Sequence, residues 1–216
     1  KSSDTLKSEI ITAITNYNTN TLQKFDAVYR HSKLTGIIDD VDNSILSNIT
    51  TVKIRKSFTP TLGSSNAYNI YFRNALYNPH AGHNMAGGGI LSSTGFKVSG
   101  NTIDEFFLDD DGQGNVRRFN LVSGVKTYVN SNQGTIDYDT GSITLNSLNI
   151  SSISNIRGAA STVIELTVVP SSNDVTPVRD QIVDIDIANS TINVSADTFV
   201  GGSSEAGIGY TTTSSY

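Results

Sequence analysis

Two short stretches of this chain carry residue types that could hold a metal. His80 and His83 form a His-x-x-His within Asn78-Pro79-His80-Ala81-Gly82-His83-Asn84-Met85, and two imidazoles so placed can share a zinc ion. Zinc wants a third or fourth protein ligand, and the neighbouring sequence offers no obvious one. Pro79, Gly82 and the triplet Gly87-Gly88-Gly89 instead describe a long loop, exposed or engaged with a partner. Asp109-Asp110-Asp111-Gly112-Gln113-Gly114-Asn115 crowds oxygen ligands as calcium loops do. An EF-hand also needs a bidentate Glu at its twelfth position, and here that position is not acidic. The flanking apolar alternation makes this stretch a hairpin tip, with glycines where positive φ is wanted.

The remaining candidates reduce to structure. Gly87-Gly88-Gly89 lacks the Gly-x-Gly-x-x-Gly spacing of a phosphate loop, and no Lys-Ser/Thr follows it. No Gly-x-Ser-x-Gly elbow occurs, and the absence of cysteine removes thiol nucleophiles, thiolate metal sites and disulfides together. Asp184 and Asp186 alternate with Val183, Ile185 and Ile187, which reads as the wet face of a strand. Lys53, Arg55 and Lys56 are the one local concentration of positive charge, on a strand whose polar face would be solvated. A net charge of −5 is the wrong sign for a phosphate-binding surface. The sequons at Asn48, Asn149, Asn189 and Asn193 follow from the abundance of Asn, Ser and Thr. No catalytic, cofactor-binding or metal-binding residue is assigned, and no cofactor or enzyme activity is expected.

The clearest element is a hairpin, Gly134 to Leu145. Ile136 and Tyr138 alternate with Thr135 and Asp137, and Ile143 and Leu145 with Ser142 and Thr144. Asp139-Thr140-Gly141 supplies its turn. At the front, Asp4 as N-cap followed by Leu6, Ile10, Ala13, Ile14 and Tyr17 predicts a helix, ended by the polar run Asn16–Thr21. Ser32 can cap a second, short helix with Leu34, Ile37, Ile38 and Val41 on one face and Gly36 inside it. From Thr51 the period becomes two. Strands are expected around Val52–Phe58 and Tyr68–Phe72, then over 95–99, 103–108, 116–122, 125–129, 162–169 and 182–187, with 191–194 weaker.

The fold class is therefore α+β, mainly β: a short helical N-terminal region followed by several small antiparallel β subdomains built from hairpins. Boundaries are placed at 1–58 (helix-rich), 59–170 (hairpin-rich) and 171–216 (β region and flexible tail), with Thr59–Ala67 and Pro170–Thr176 as linkers. No long apolar run suits a membrane span. Without an initial methionine, the chain is expected to be part of a longer polypeptide.

Several stretches together resemble one family. They are 25–34 leading into Ile37-Ile38-Asp39-Asp40-Val41-Asp42, then Ser47 to Ile54, Tyr68-Asn69-Ile70-Tyr71-Phe72-Arg73-Asn74, the Asp110–Asn115 turn, and the Gly-Thr-Ile-Asp-Tyr-x-x-Gly hairpin. They are similar to the C-terminal part of the baseplate wedge protein of T4-like contractile-tailed phages, in the J-like baseplate family. The resemblance implies a structural virion protein of the tail baseplate, assembled in the host cytoplasm. It implies pairing with a second copy, contacts with other wedge proteins, and ring contacts that rearrange on contraction. Neither nucleic acid nor membrane is an expected partner. Asn78–Ser93 and the tail from Gly201 would be ordered by neighbours. A tail-fibre or receptor-binding adhesin is the alternative, since its composition would be much the same.

Overall fold

The computed structural model describes residues 1–78, 89–178 and 181–196. His80, His83, Gly87, Gly88 and the tail from Gly201 lie outside the described residues. Helix α1 spans Ser3–Tyr17. Its cap is Ser2, not Asp4: the Ser2 hydroxyl accepts from Thr5 N at 3.2 Å. Asp4 stands in the first turn, where its charge favours the helix dipole. The polar run does not end the helix. Asn18–Leu22 continue it as a π-helical turn, because Leu22 is fully buried and the Asn18 amide finds partners of its own.

Helix α2 runs His31–Asp39, and Arg30 at its N-cap contributes no side-chain cap. Asp174 does so from a distant loop, accepting from His31 N at 2.8 Å. Gly36 sits mid-helix, and a methyl there would meet no atom within 4 Å. Gly36→Ala should therefore stabilise the protein by about 0.5–1 kcal/mol, seen as a higher urea midpoint at unchanged slope.

Nine strands follow among the described residues: β1 (Ile54–Phe58), β2 (Ser65–Tyr71), β3 (Ser92–Ser93), β4 (Phe96–Val98), β5 (Asn101–Asp110), β6 (Asn115–Val122), β7 (Val125–Asp137), β8 (Ser142–Ile153) and β9 (Ile164–Val168). All described pairings are antiparallel. β1, β9 and β3 form a small sheet in that order, with Ile54 opposite Val168 and Ser93 opposite Leu166.

Of the other six strands, β4 to β8 make a small barrel and β2 flanks it. β8 pairs with β7 through its first half and with β4 through its second, and β4-β5-β6-β7 completes the circuit. β2 lies along the other side of β8. The β7–β8 hairpin brings its two backbones close at Gly134, where any Cβ would collide with the Thr144 carbonyl oxygen. The expected strand over 125–129 and the first strand of the hairpin are thus one long strand. Its polar middle persists because Gln133 donates to Asn146 O at 2.6 Å while its neighbours face water.

Two cores result. One fills the barrel and the small sheet, with Phe96, Val116, Ile143, Leu145, Leu148, Ile150 and Leu166 completely buried. The other joins Ile10, Ile14, Tyr17, Leu22, Leu34 and Ile38 of the helical region to Val175, with Val183, Ile185, Ile187, Ile192 and Val194 packed against it. Residues 182–187 and 191–194 are therefore not strands. They form an irregular strap with one 3-10 turn at Ile187–Asn189, whose alternate apolar residues cover the helices and not a sheet. Pro170–Thr176 is no free linker either: Val175 and Tyr29 exchange both backbone hydrogen bonds, at 2.9 and 3.0 Å. Residues 89–93, expected as loop, are built in, with Ile90 and Leu91 buried.

Candidate interaction surface and its buried anchors

Successive residues on a strand face opposite ways, so Asp109 and Asp110 at the end of β5 enter different surroundings. Asp110 is fully buried inside. Its carboxylate accepts from Leu91 N at 2.8 Å, Tyr138 OH at 2.7 Å and Gly112 N at 3.3 Å. Its own carbonyl accepts from Gly89 N and from the Arg117 guanidinium. Burial, reinforced by the bond to Asp110, pushes the Tyr138 phenol well above its usual pKa. Tyr138 thus remains a hydrogen-bond donor throughout the physiological range.

Asp109 points outward yet is covered. Arg117 Nε (3.0 Å), Lys126 Nζ (2.8 Å) and Tyr128 OH (2.9 Å) all donate to it. Arg117 lies over the Tyr128 ring and Lys126 over the Phe119 ring, 4.2 and 4.5 Å from the centroids. Asp111 closes the turn. Burial opposes its charge, but bonds from the Asn115 amide and from the Gln113 and Asn115 backbone hold its carboxyl below the usual range. All three carboxylates of the calcium-like stretch therefore already accept protein donors. Among the described residues, no group of three or more His, Cys, Asp or Glu is arranged to hold a metal.

The other expected positions also serve the fold. Asp184 and Asp186 are latches of the strap and not the wet face of a strand. Asp184 accepts from Asn18 (2.7 Å) and Gln23 (2.8 Å), while Asp186 pairs with Arg55. The Asn48 amide donates to Asp39 at 2.6 Å. Arg55 is not merely solvated, since it also reaches Glu165 at 3.1 Å.

Glu165 on β9 was not legible as a site. It stands on the wetter face of an apolar alternation, as many surface acids do, and only the fold brings Arg55 and Arg157 to it. The hydrogen bond from Arg157, opposed by partial burial and helped by Arg55, lowers its pKa. A depressed carboxylate pKa gives stability that is complete above the unfolded value and lost as pH falls through the folded one. Unfolding midpoints taken from pH 7 to pH 3 should therefore fall less steeply for Glu165→Gln than for the parent chain.

Outside these anchors, the surface is one of hairpins and strand edges. The β6–β7 tip exposes Leu121, Val122, Val125 and Val129, and Ile103 on β5 is 87 % exposed. Along residues 125–130 β7 pairs with β6, and no described strand lies on its other side. Such edges and apolar tips are where one chain joins another. Among the described residues, no helix is long and apolar enough to cross a membrane.

The barrel's buried carboxylates accept donors from its own strands and loops, and part of β7 is left as an unpaired edge. Residues 1–57, the helical region through most of β1, match the family model of baseplate structural protein gp6, C-terminal domain III. Over those residues the match bears out the resemblance noted above, and it supports a structural role in the phage tail baseplate. It implies a place in the virion tail and interaction with other baseplate proteins. No curated protein matches the chain.

Proposed function

We propose that this chain is part of a baseplate wedge protein and forms ring contacts between wedges during assembly and contraction. It pairs with a second copy and holds neighbouring wedge proteins, and its role involves no catalytic step. The observation that carries this reading is the match of residues 1–57 to a baseplate structural domain. The unpaired edge of β7 and the apolar tip beside it support it, because a ring needs a closed set of interfaces, for which a two-fold contact is the simplest element. We also propose divisions after residue 58 and after residue 170. The third stretch would return to the first, in keeping with its share in the helical core. Light scattering after size exclusion, over a range of concentrations, tests the pairing. A concentration-dependent dimer is the expected result. A stable trimer would overturn it in favour of a fibre module, and a strict monomer would overturn pairing through this region.

A further inference from the structure

A cleft between β1 and β2 holds two cations and, among the described residues, no counter-charge. It encloses about 240 Å³ and is lined by Lys56, Ser57, Asn69, Tyr71, Arg73 and Gln181, with Phe58 and Ile70 behind them. β1 is an edge strand of the small sheet and β2 an edge strand of the six-stranded one, so the cleft opens between two unpaired edges. The Lys56 ammonium donates to the Tyr71 carbonyl at 2.5 Å, which fixes its charge in the cleft. Arg73 follows β2 with φ of 57°, a left-handed conformation that non-glycine residues seldom adopt.

Other cations drawn into the fold meet carboxylates, Arg55 and Arg157 at Glu165 and Arg117 and Lys126 at Asp109, while Arg118 lies over the Phe106 ring. Lys56 and Arg73 have no such partner among the described residues. Burial, with the Arg73 charge beside it, lowers the Lys56 pKa, as expected for two like charges held together without an acid. Bringing a carboxylate between them would relieve both.

We propose that this cleft docks a carboxylate-bearing segment of a neighbouring subunit, with an Asp or Glu side chain bridging Lys56 and Arg73. The neutral hydrogen-bonding groups of Ser57, Asn69 and Gln181 then meet the segment's polar flanks. The flanking strand edges offer its backbone a partner, which favours a peptide over a free anion. The inference rests on the assembly role proposed above, in that it supposes a protein neighbour.

The test is a titration of the isotope-labelled chain with tetra-aspartate, tetra-asparagine and sulfate, followed by amide NMR. Tetra-aspartate should shift residues 56–58 and 69–73, and tetra-asparagine should not. Arg73→Asn keeps a residue type tolerant of left-handed backbone, and with Lys56→Gln as a second variant each should weaken peptide binding at least ~10-fold. Unchanged affinity in both variants would overturn the proposal, as would sulfate binding without peptide binding. Asp180 precedes Gln181 in sequence, so Asp180→Asn is included. Peptide binding that appears only in that variant would mean the chain's own carboxylate fills the cleft, and would also overturn it. Solution mass bears on pairing and the titration bears on the cleft, so either reading can fail alone.

Discussion

Asp110→Ala should lower the unfolding free energy by about 4 kcal/mol, the largest loss expected from any single side chain here. The substitution leaves the Tyr138 hydroxyl and the Leu91 and Gly112 N–H groups without their acceptor, in a position from which water is excluded. Small domains have total stabilities of roughly 5–15 kcal/mol, so much of the margin would go. Tyr138→Phe removes one of the three donors and should cost about 1–2 kcal/mol. The double variant should cost clearly less than the sum, because both changes delete the same bond. Urea unfolding of the four proteins measures this directly. Strict additivity would mean that the two side chains do not act together.

Gly141→Ala should cost about 3 kcal/mol, from two sources that can be separated. Gly141 has φ of 66°, where a side chain costs about 1 kcal/mol or more. A Cβ would also be driven into the carbonyl oxygen of Asn74, and backbone cannot swing aside as a side chain can. That overlap should add about 2 kcal/mol. Gly158 is the control: its φ is 82°, yet a methyl there meets nothing within 4 Å. Gly158→Ala should lose only the conformational part, about 1 kcal/mol. Equal losses at the two positions would show that the Asn74 contact relaxes freely.

The hairpin around Gly141 was legible because its evidence is local. Alternation set the buried face, confirmed by Ile136, Tyr138, Ile143 and Leu145, and the turn needed a residue free to take positive φ. The mainly β class and most strands followed from the same period. The strap over 182–194 was misread because covering a helix pair from outside also buries every second residue of an extended chain. Period alone does not say what lies beneath it. Barrel closure through β4 and β8 was not legible, since it depends on which strands meet and not on how each is written. The anchors were hidden for a related reason. Asp109 and Asp110 were visible as acids, but their donors lie on β6, on β7, in the loop before β3 and in the hairpin turn. The Lys56–Arg73 cleft likewise joins two strand edges and the strap.

The strap sets an order on events during synthesis. His31 waits for Asp174, 143 residues later, before its helix is capped. Asn18 waits still longer for Asp184, 166 residues away. At ~15 residues per second, the ribosome takes on the order of ten seconds to deliver that acceptor. Until then the two helices have an apolar side with nothing on it, while the barrel between them and the strap can already close on itself. A chain cut short before residue 170 would carry a finished barrel and an unfinished helical unit. The strap thus acts as a late check on the helical unit, since only a copy translated past residue 194 can close the 1–57 region.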